Sequence, residues 1–208
     1  MKKSVRKSFS ILSIVLAVVL AALILAAAAS TALSNIYDVA QVGNTAFCLI
    51  NKGNHTTVIF GFGRLWNYAG SAYSGSPPRS RSPLYASGTK KVIICYGITN
   101  ISHRFFSDCI ELSDIYIPAS VSELDSCAFL GCSSLARVHF EGDAPQFVCL
   151  GKKTLPDGNF VPNPFEPLYM DTNPSMIIYH QSGAKGWNSP DWSRYRVYSI
   201  KYFIWRIW

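Results

Sequence analysis

A chain of 208 residues with 49% apolar and only 15% charged residues can bury one ordinary core, which excludes an intrinsically disordered polymer. Four of its 19 Lys and Arg (Lys2, Lys3, Arg6, Lys7) fall in the first seven residues, so the remaining fifteen face 12 acids and the formal charge of +7 drops to about +3. No later Lys/Arg run exceeds two, so the basic footprint of a nucleic-acid binder is missing and no nucleic-acid partner is expected.

Residues 1–34 have the layout of an export segment: a basic start, an uncharged and mainly apolar stretch from Phe9 to Ala29, then small residues to Ser34. Cleavage sites of small-x-small type follow Ala29 and Ala32. About twenty apolar residues also suffice to cross a bilayer, so the segment is either a cleaved signal peptide or an N-terminal anchor in contact with the membrane. In both cases the basic cluster keeps the N-terminus on the cytoplasmic side and places the rest of the chain outside.

Residues 35–91 read as a β-rich N-terminal cap unit with a loop. Gly61-Phe-Gly63 lacks the third glycine of a dinucleotide fingerprint, and Arg64-Leu-Trp66 opens no helix, so the segment reads as a β-hairpin turn. Ser74–Ser82 reads as a solvated loop, with an arginine-mediated contact at Arg79 or Arg81 as its alternative.

Residues 92–145 carry an internal repeat. The segment Val92–Asp114 aligns with Ile115–Arg137 at an offset of 23, and a third copy begins at Val138 and stops after Phe140. The matches fall on apolar positions: Val92/Ile115/Val138, Ile94/Ile117/Phe140, Ile98/Val121, Ile101/Leu124, Phe106/Phe129, Cys109/Cys132 and Leu112/Leu135. Stacked units require this, because each core position sits on its equivalent in the next. In each copy an alternating Val-x-Ile or Ile-x-Ile predicts a short strand. Ser102–Cys109 and Asp125–Cys132 each predict a single helical turn that returns the chain. Burying a side chain contributes roughly 1.5–3 kcal/mol, whereas ordering costs about 1.5 kcal/mol per residue, so one unit cannot fold alone and the flanking segments must cap the stack.

If Val92/Ile94 and Ile115/Ile117 face inward, then Ile93, Tyr116 and His139 form a column on the outer face of the sheet. Extended faces of repeat proteins commonly bind partners, and Tyr116 and His139 are therefore the candidate binding residues.

Residues 146–208 read as a C-terminal capping unit followed by an aromatic tail from Tyr198 to Trp208. The six cysteines (Cys48, Cys95, Cys109, Cys127, Cys132, Cys149) allow fifteen pairings but contain no C-x-x-C and no zinc spacing. Cys109 and Cys132 share one repeat position, which suits free thiols that fill the core, with a disulfide between adjacent turns as the alternative. There is no G-x-S-x-G, H-E-x-x-H or P-loop, and His55, His103, His139 and His180 are scattered. No catalytic, metal-binding or cofactor-binding residues are expected.

Ile115-Tyr-Ile-Pro118, the step Val121 to Leu124, and Ala128-Phe-Leu-Gly-Cys-Ser-Ser-Leu135 resemble the BspA-like leucine-rich repeats of bacterial surface proteins. Cys48-Leu49, Thr57-Val-Ile-Phe-Gly-Phe-Gly63 and Tyr68 are similar to the β-rich unit that precedes such repeats, and Ile177-Ile-Tyr179, Gly186-Trp187, Trp192 and Tyr195 to the unit that follows. The first copy departs from the pattern, with Phe105-Phe106-Ser-Asp-Cys109 and with Cys95 where the second has Pro118. The resemblance implies a mostly β fold: a short leucine-rich-repeat solenoid, a parallel ladder of three short strands between an N-terminal β-cap and an irregular C-terminal unit. It further implies a non-catalytic adhesion or recognition module, secreted or at the cell surface, with a protein or glycan ligand. A structural envelope module without a specific ligand and a secreted enzyme with a spatially assembled site are the alternatives.

Overall fold

The computed structural model describes residues 35–68, 81–125, 127–148, 153–154, 160–161, 175–193 and 195–201. Residues 1–34, for which an export segment is expected, Arg79 and most of the expected loop Ser74–Ser82, Cys149, and the aromatic residues beyond Lys201 lie outside the described residues.

Extended segments dominate because the apolar residues alternate over runs of four to ten. In chain order they are β1 (Tyr37–Gln41), β2 (Gly43–Asn51), β3 (Thr56–Leu65), β4 (Lys91–Ile94), β5 (Asn100–Ile101), β6 (Asp114–Ile117) and β7 (Glu123–Asp125). There follow β8 (Arg137–Phe140), β9 (Gln146–Val148), β10 (Lys153–Thr154), β11 (Phe160–Val161), β12 (Ile177–Gln181) and β13 (Arg196–Ile200). One sheet holds eight strands in the order β1-β2-β3-β4-β6-β8-β12-β13, and β5-β7-β9 and β10-β11 form smaller sheets.

The 23-residue offset is the register of the large sheet. Val92 pairs with Ile115 and Ile115 with Val138, all parallel, and their side chains are buried, as are Ile94, Ile117 and Phe140. The ladder is longer than the three strands expected. β3 runs parallel to β4, and β12 and β13 continue the ladder beyond β8, with Val138 paired to Ile178 and Ile178 to Val197. The C-terminal unit thus adds two regular rungs around irregular connections. The third copy also continues past Phe140, since β9 joins β5 and β7 in register, Ile101↔Leu124↔Phe147.

The return segments are chains of tight turns, where the sequence predicted helical turns. Bonds such as Phe105 N–H to Ser102 O (3.1 Å) and Cys109 N–H to Phe106 O (3.1 Å) close four-residue turns. Positive φ at Arg104 (54°), Asp108 (59°) and Cys127 (57°) prevents any helix from propagating. The strain is offset by bonds between coils: Phe106 N–H donates to Ala128 O (2.9 Å) and Asp108 N–H to Leu130 O (2.6 Å).

Gly61-Phe-Gly63 is not a hairpin turn. It lies inside β3, and the chain reverses at residues 52–55, where Asn51 Oδ1 accepts from Gly53 N–H (2.9 Å) and Asn54 N–H (3.2 Å). Gly61 serves the close approach of β2, since a Cβ there (φ 113°) would meet Thr45 O at 2.1 Å.

Between the two ladders the core is continuous and heavily aromatic. Phe106 stacks on Phe129 with centroids 5.2 Å apart and planes 7° from parallel, and Phe105 and Tyr68 extend this stack toward β3. At the other end Phe140, Phe147, Trp187 and Trp192 close the core with centroids 4.7–5.7 Å apart. Cys48, Cys95, Cys109, Cys127 and Cys132 are free thiols. Cys132 Sγ donates to Phe106 O (2.9 Å) and Cys109 Sγ to Leu84 O (3.6 Å), so both cap carbonyls of the preceding coil. Burial pushes the Cys109 thiol up to about 12 and that of Cys132 upward as well, which keeps them protonated and unreactive.

Candidate functional site

Because side chains alternate across a strand, the residues between buried positions line the outer face of the large sheet. Their register defines a row that crosses every strand: Val39, Leu49, Val58, Ile93, Tyr116, His139, Tyr179 and Tyr198. The predicted column of Ile93, Tyr116 and His139 is the middle of this row. Tyr116 and His139 are in direct contact, with ring centroids 4.4 Å apart and planes within 3° of parallel. His139 stacks in turn on Tyr179 (5.1 Å, 15°), and Tyr179 faces Tyr198 at 6.3 Å.

Sequence reasoning missed Tyr179 and Tyr198 because the chain between β8 and β12 is not one repeat long, so the 23-residue offset no longer points to them. A signal was present. Ile115-Tyr116, Val138-His139, Ile178-Tyr179 and Val197-Tyr198 are each a β-branched residue followed by an aromatic ring, the inward and outward members of one rung.

A second row, two residues earlier in each strand, is polar: Thr56, Lys91, Asp114 and Arg137, continuing to Ile177 and Arg196. Arg137 holds Asp114 through two hydrogen bonds, one from Nε to Oδ1 and one from Nη2 to Oδ2 (2.8 Å), and Ser113 Oγ donates to Oδ2 at 2.7 Å. Partial burial pushes the Asp114 carboxyl up, but the Arg137 and Ser113 hydrogen bonds outweigh this and hold it below the usual range. Lys91 Nζ lies 5.0 Å from the centroid of the Tyr116 ring.

The His139 pKa is lowered to about 4, chiefly by burial between two tyrosines; Asp114 opposes this, and the nearby Arg137 and Lys91 charges add to it. The imidazole is therefore neutral at physiological pH. Its folded pKa lies below the unfolded value near 6.5, so its contribution to stability is complete above pH 6.5 and is lost as pH falls toward 4. With the shift discounted because the ring is only partly buried, His139→Phe is expected to gain about 1–2 kcal/mol on wild type between pH 7 and pH 4. Thermal unfolding of both proteins across that range is the check, and a difference that stays constant with pH would refute it.

The histidines do not converge. His55 Nδ1 lies 3.0 Å from Gly88 O, His103 is buried, and His180 stacks on Trp187 at 5.0 Å on the inner side. No group of three or more His, Cys, Asp or Glu residues suited to a metal ion occurs among the described residues. Of the two arginines considered for a loop contact, Arg81 lies over the Tyr85 ring at 4.1 Å.

Residues 84–147, which span the coils built on β4, β6 and β8, match the family described as BspA type Leucine rich repeat region (6 copies). The chain carries BspA-type leucine-rich repeats. At the start of the match the carbonyl of Leu84 is capped by Cys109, as that of Phe106 is by Cys132. A leucine-rich repeat protein from Eubacterium ventriosum, solved at 2.50 Å resolution, is similar over 79% of this chain and 44% of its own, with 12% identity and a TM-score of 0.40. The chain thus spans less than half the length of that protein. No curated protein matches. Among the described residues no helix is long and apolar enough to cross a membrane.

Proposed function

We propose that these BspA-type repeats form a non-catalytic recognition module outside the cell, secreted or held at its surface, which binds a protein or glycan ligand through the outer face of the eight-stranded sheet. The observation that carries this reading is the aromatic row Tyr116–His139–Tyr179–Tyr198, which spans four adjacent strands on a partly exposed face. Leucine-rich repeats are a protein-interaction architecture, and aromatic side chains dominate binding hot spots. The basic and then apolar layout of residues 1–34 supports export.

Two measurements test the proposal. The intact mass and fractionation of the protein made with its native N-terminus in a bacterium should show either loss of about thirty residues or retention in the membrane. Full-length soluble protein in the cytoplasm would sink the extracytoplasmic part. Binding to a panel of matrix proteins and polysaccharides should then be saturable and weaken about 30-fold in Tyr116→Ala/His139→Ala. Undiminished binding by that variant would remove Tyr116 and His139 from the site, and no saturable binding at all would favour a purely structural envelope module.

A further inference from the structure

The outer face carries a charge and ring pattern that discriminates between partners. In the polar row Arg137 and Asp114 neutralise each other, which leaves Lys91 on β4 and Arg196 on β13 as the cations at either end. Among the described residues neither is in an ion pair. They stand four strand spacings apart, roughly 19 Å.

Ring orientation supplies the second constraint. Tyr116, His139 and Tyr179 lie within 15° of parallel and stack face to face along the row, and Lys91 sits over the Tyr116 ring. The faces of Tyr116, His139 and Tyr179 are therefore taken by neighbouring rings or by a cation, and a partner lying over these three meets ring edges, whereas Tyr198 is tilted by 33° and 49% exposed at the edge strand. A sugar ring packs on an exposed aromatic face, which the three stacked rings in the middle of this row do not offer. Aromatic edges are the positive part of the ring quadrupole and favour electronegative groups. Edges and flanking cations thus point in one electrostatic direction.

We propose that this face binds an acidic segment of a partner protein, laid across strands β4 to β13 with carboxylates directed to Lys91 and Arg196 and to the edges of the rings between them. The proposal rests on the outer face being the recognition surface. It adds the partner's class and sign of charge.

The test is selection of a displayed library of random 12-residue peptides on the full-length protein. Peptides rich in Asp and Glu are expected, with affinity that falls as salt rises and at least a tenfold loss in Lys91→Glu/Arg196→Glu. Tyr198→Ala, at the exposed edge strand, should weaken the same peptides without charge reversal, and far-UV circular dichroism checks both variants for folding. Selection of neutral or basic peptides, of none, or of acidic peptides that ignore the charge reversal overturns the proposal. Binding of heparin in place of acidic peptides, lost in Lys91→Glu/Arg196→Glu, overturns it in favour of a sulfated glycan. The two readings fail separately. If the outer face is not the site, acidic peptides bind Tyr116→Ala/His139→Ala undiminished. If only the partner class is wrong, a ligand lost in that variant is indifferent to the charge reversal.

Discussion

Phe106→Ala is expected to destabilise the protein by about 3–5 kcal/mol, a large share of the stability of a single domain. Phe106 is fully buried, stacks on Phe129 of the next coil at 5.2 Å and meets Phe105 edge-on at 4.9 Å. The backbone around it cannot close over the void, because Phe106 N–H is bonded to Ala128 O and Phe106 O is held by Cys132 Sγ. The residual cavity therefore adds to the lost transfer energy. Urea unfolding should show a lower midpoint with an unchanged slope, and Phe106→Leu should cost far less, about 1–1.5 kcal/mol. A loss below about 1 kcal/mol for the alanine variant would mean that the stack does not hold the coils together.

Gly61→Ala is expected to cost about 3 kcal/mol or more, from positive φ combined with a backbone collision. A Cβ there would lie 2.1 Å from Thr45 O and 2.8 Å from Ala46 Cα, both main-chain atoms of the paired strand β2, which cannot rotate aside. Gly63→Ala separates the two causes. Its φ of 80° is also positive, but the nearest atom is Thr45 Oγ1 at 3.9 Å, so only the conformational cost of about 1–2 kcal/mol applies. Equal losses in the two variants would show that β2 does not press on β3 at Gly61.

The contrast between these sites shows where sequence reasoning carries and where it stops. Phe106 and Phe129 were legible as equivalents because stacking repeats a core position at a constant offset. Gly61 was misread as a turn because a glycine demanded by close approach looks, in sequence, like a glycine demanded by chain reversal. The chain reverses instead at residues 52–55, on the side chain of Asn51. The helical turns predicted for the return segments failed for a related reason. The positive φ of Asp108 is held by its N–H bond to Leu130 O of the next coil, a partner that local propensity does not see.

The candidate site divides along the same line. Alternation alone put Tyr116 and His139 on one outward face, since a strand turns every second side chain to the same side. The burial that lowers the His139 pKa could not be read there, because it depends on Tyr179, which arrives from β12 through a connection of unrelated length. By itself the sequence determined the period, the inward face of each rung in the repeats and the pairing of equivalent residues between coils, because those follow from local alternation repeated at a fixed interval. Only the tertiary structure decided that β12 and β13 extend the ladder, that four rings form one row and that Lys91 and Arg196 bracket it, because these juxtapositions join segments whose separation along the chain carries no period.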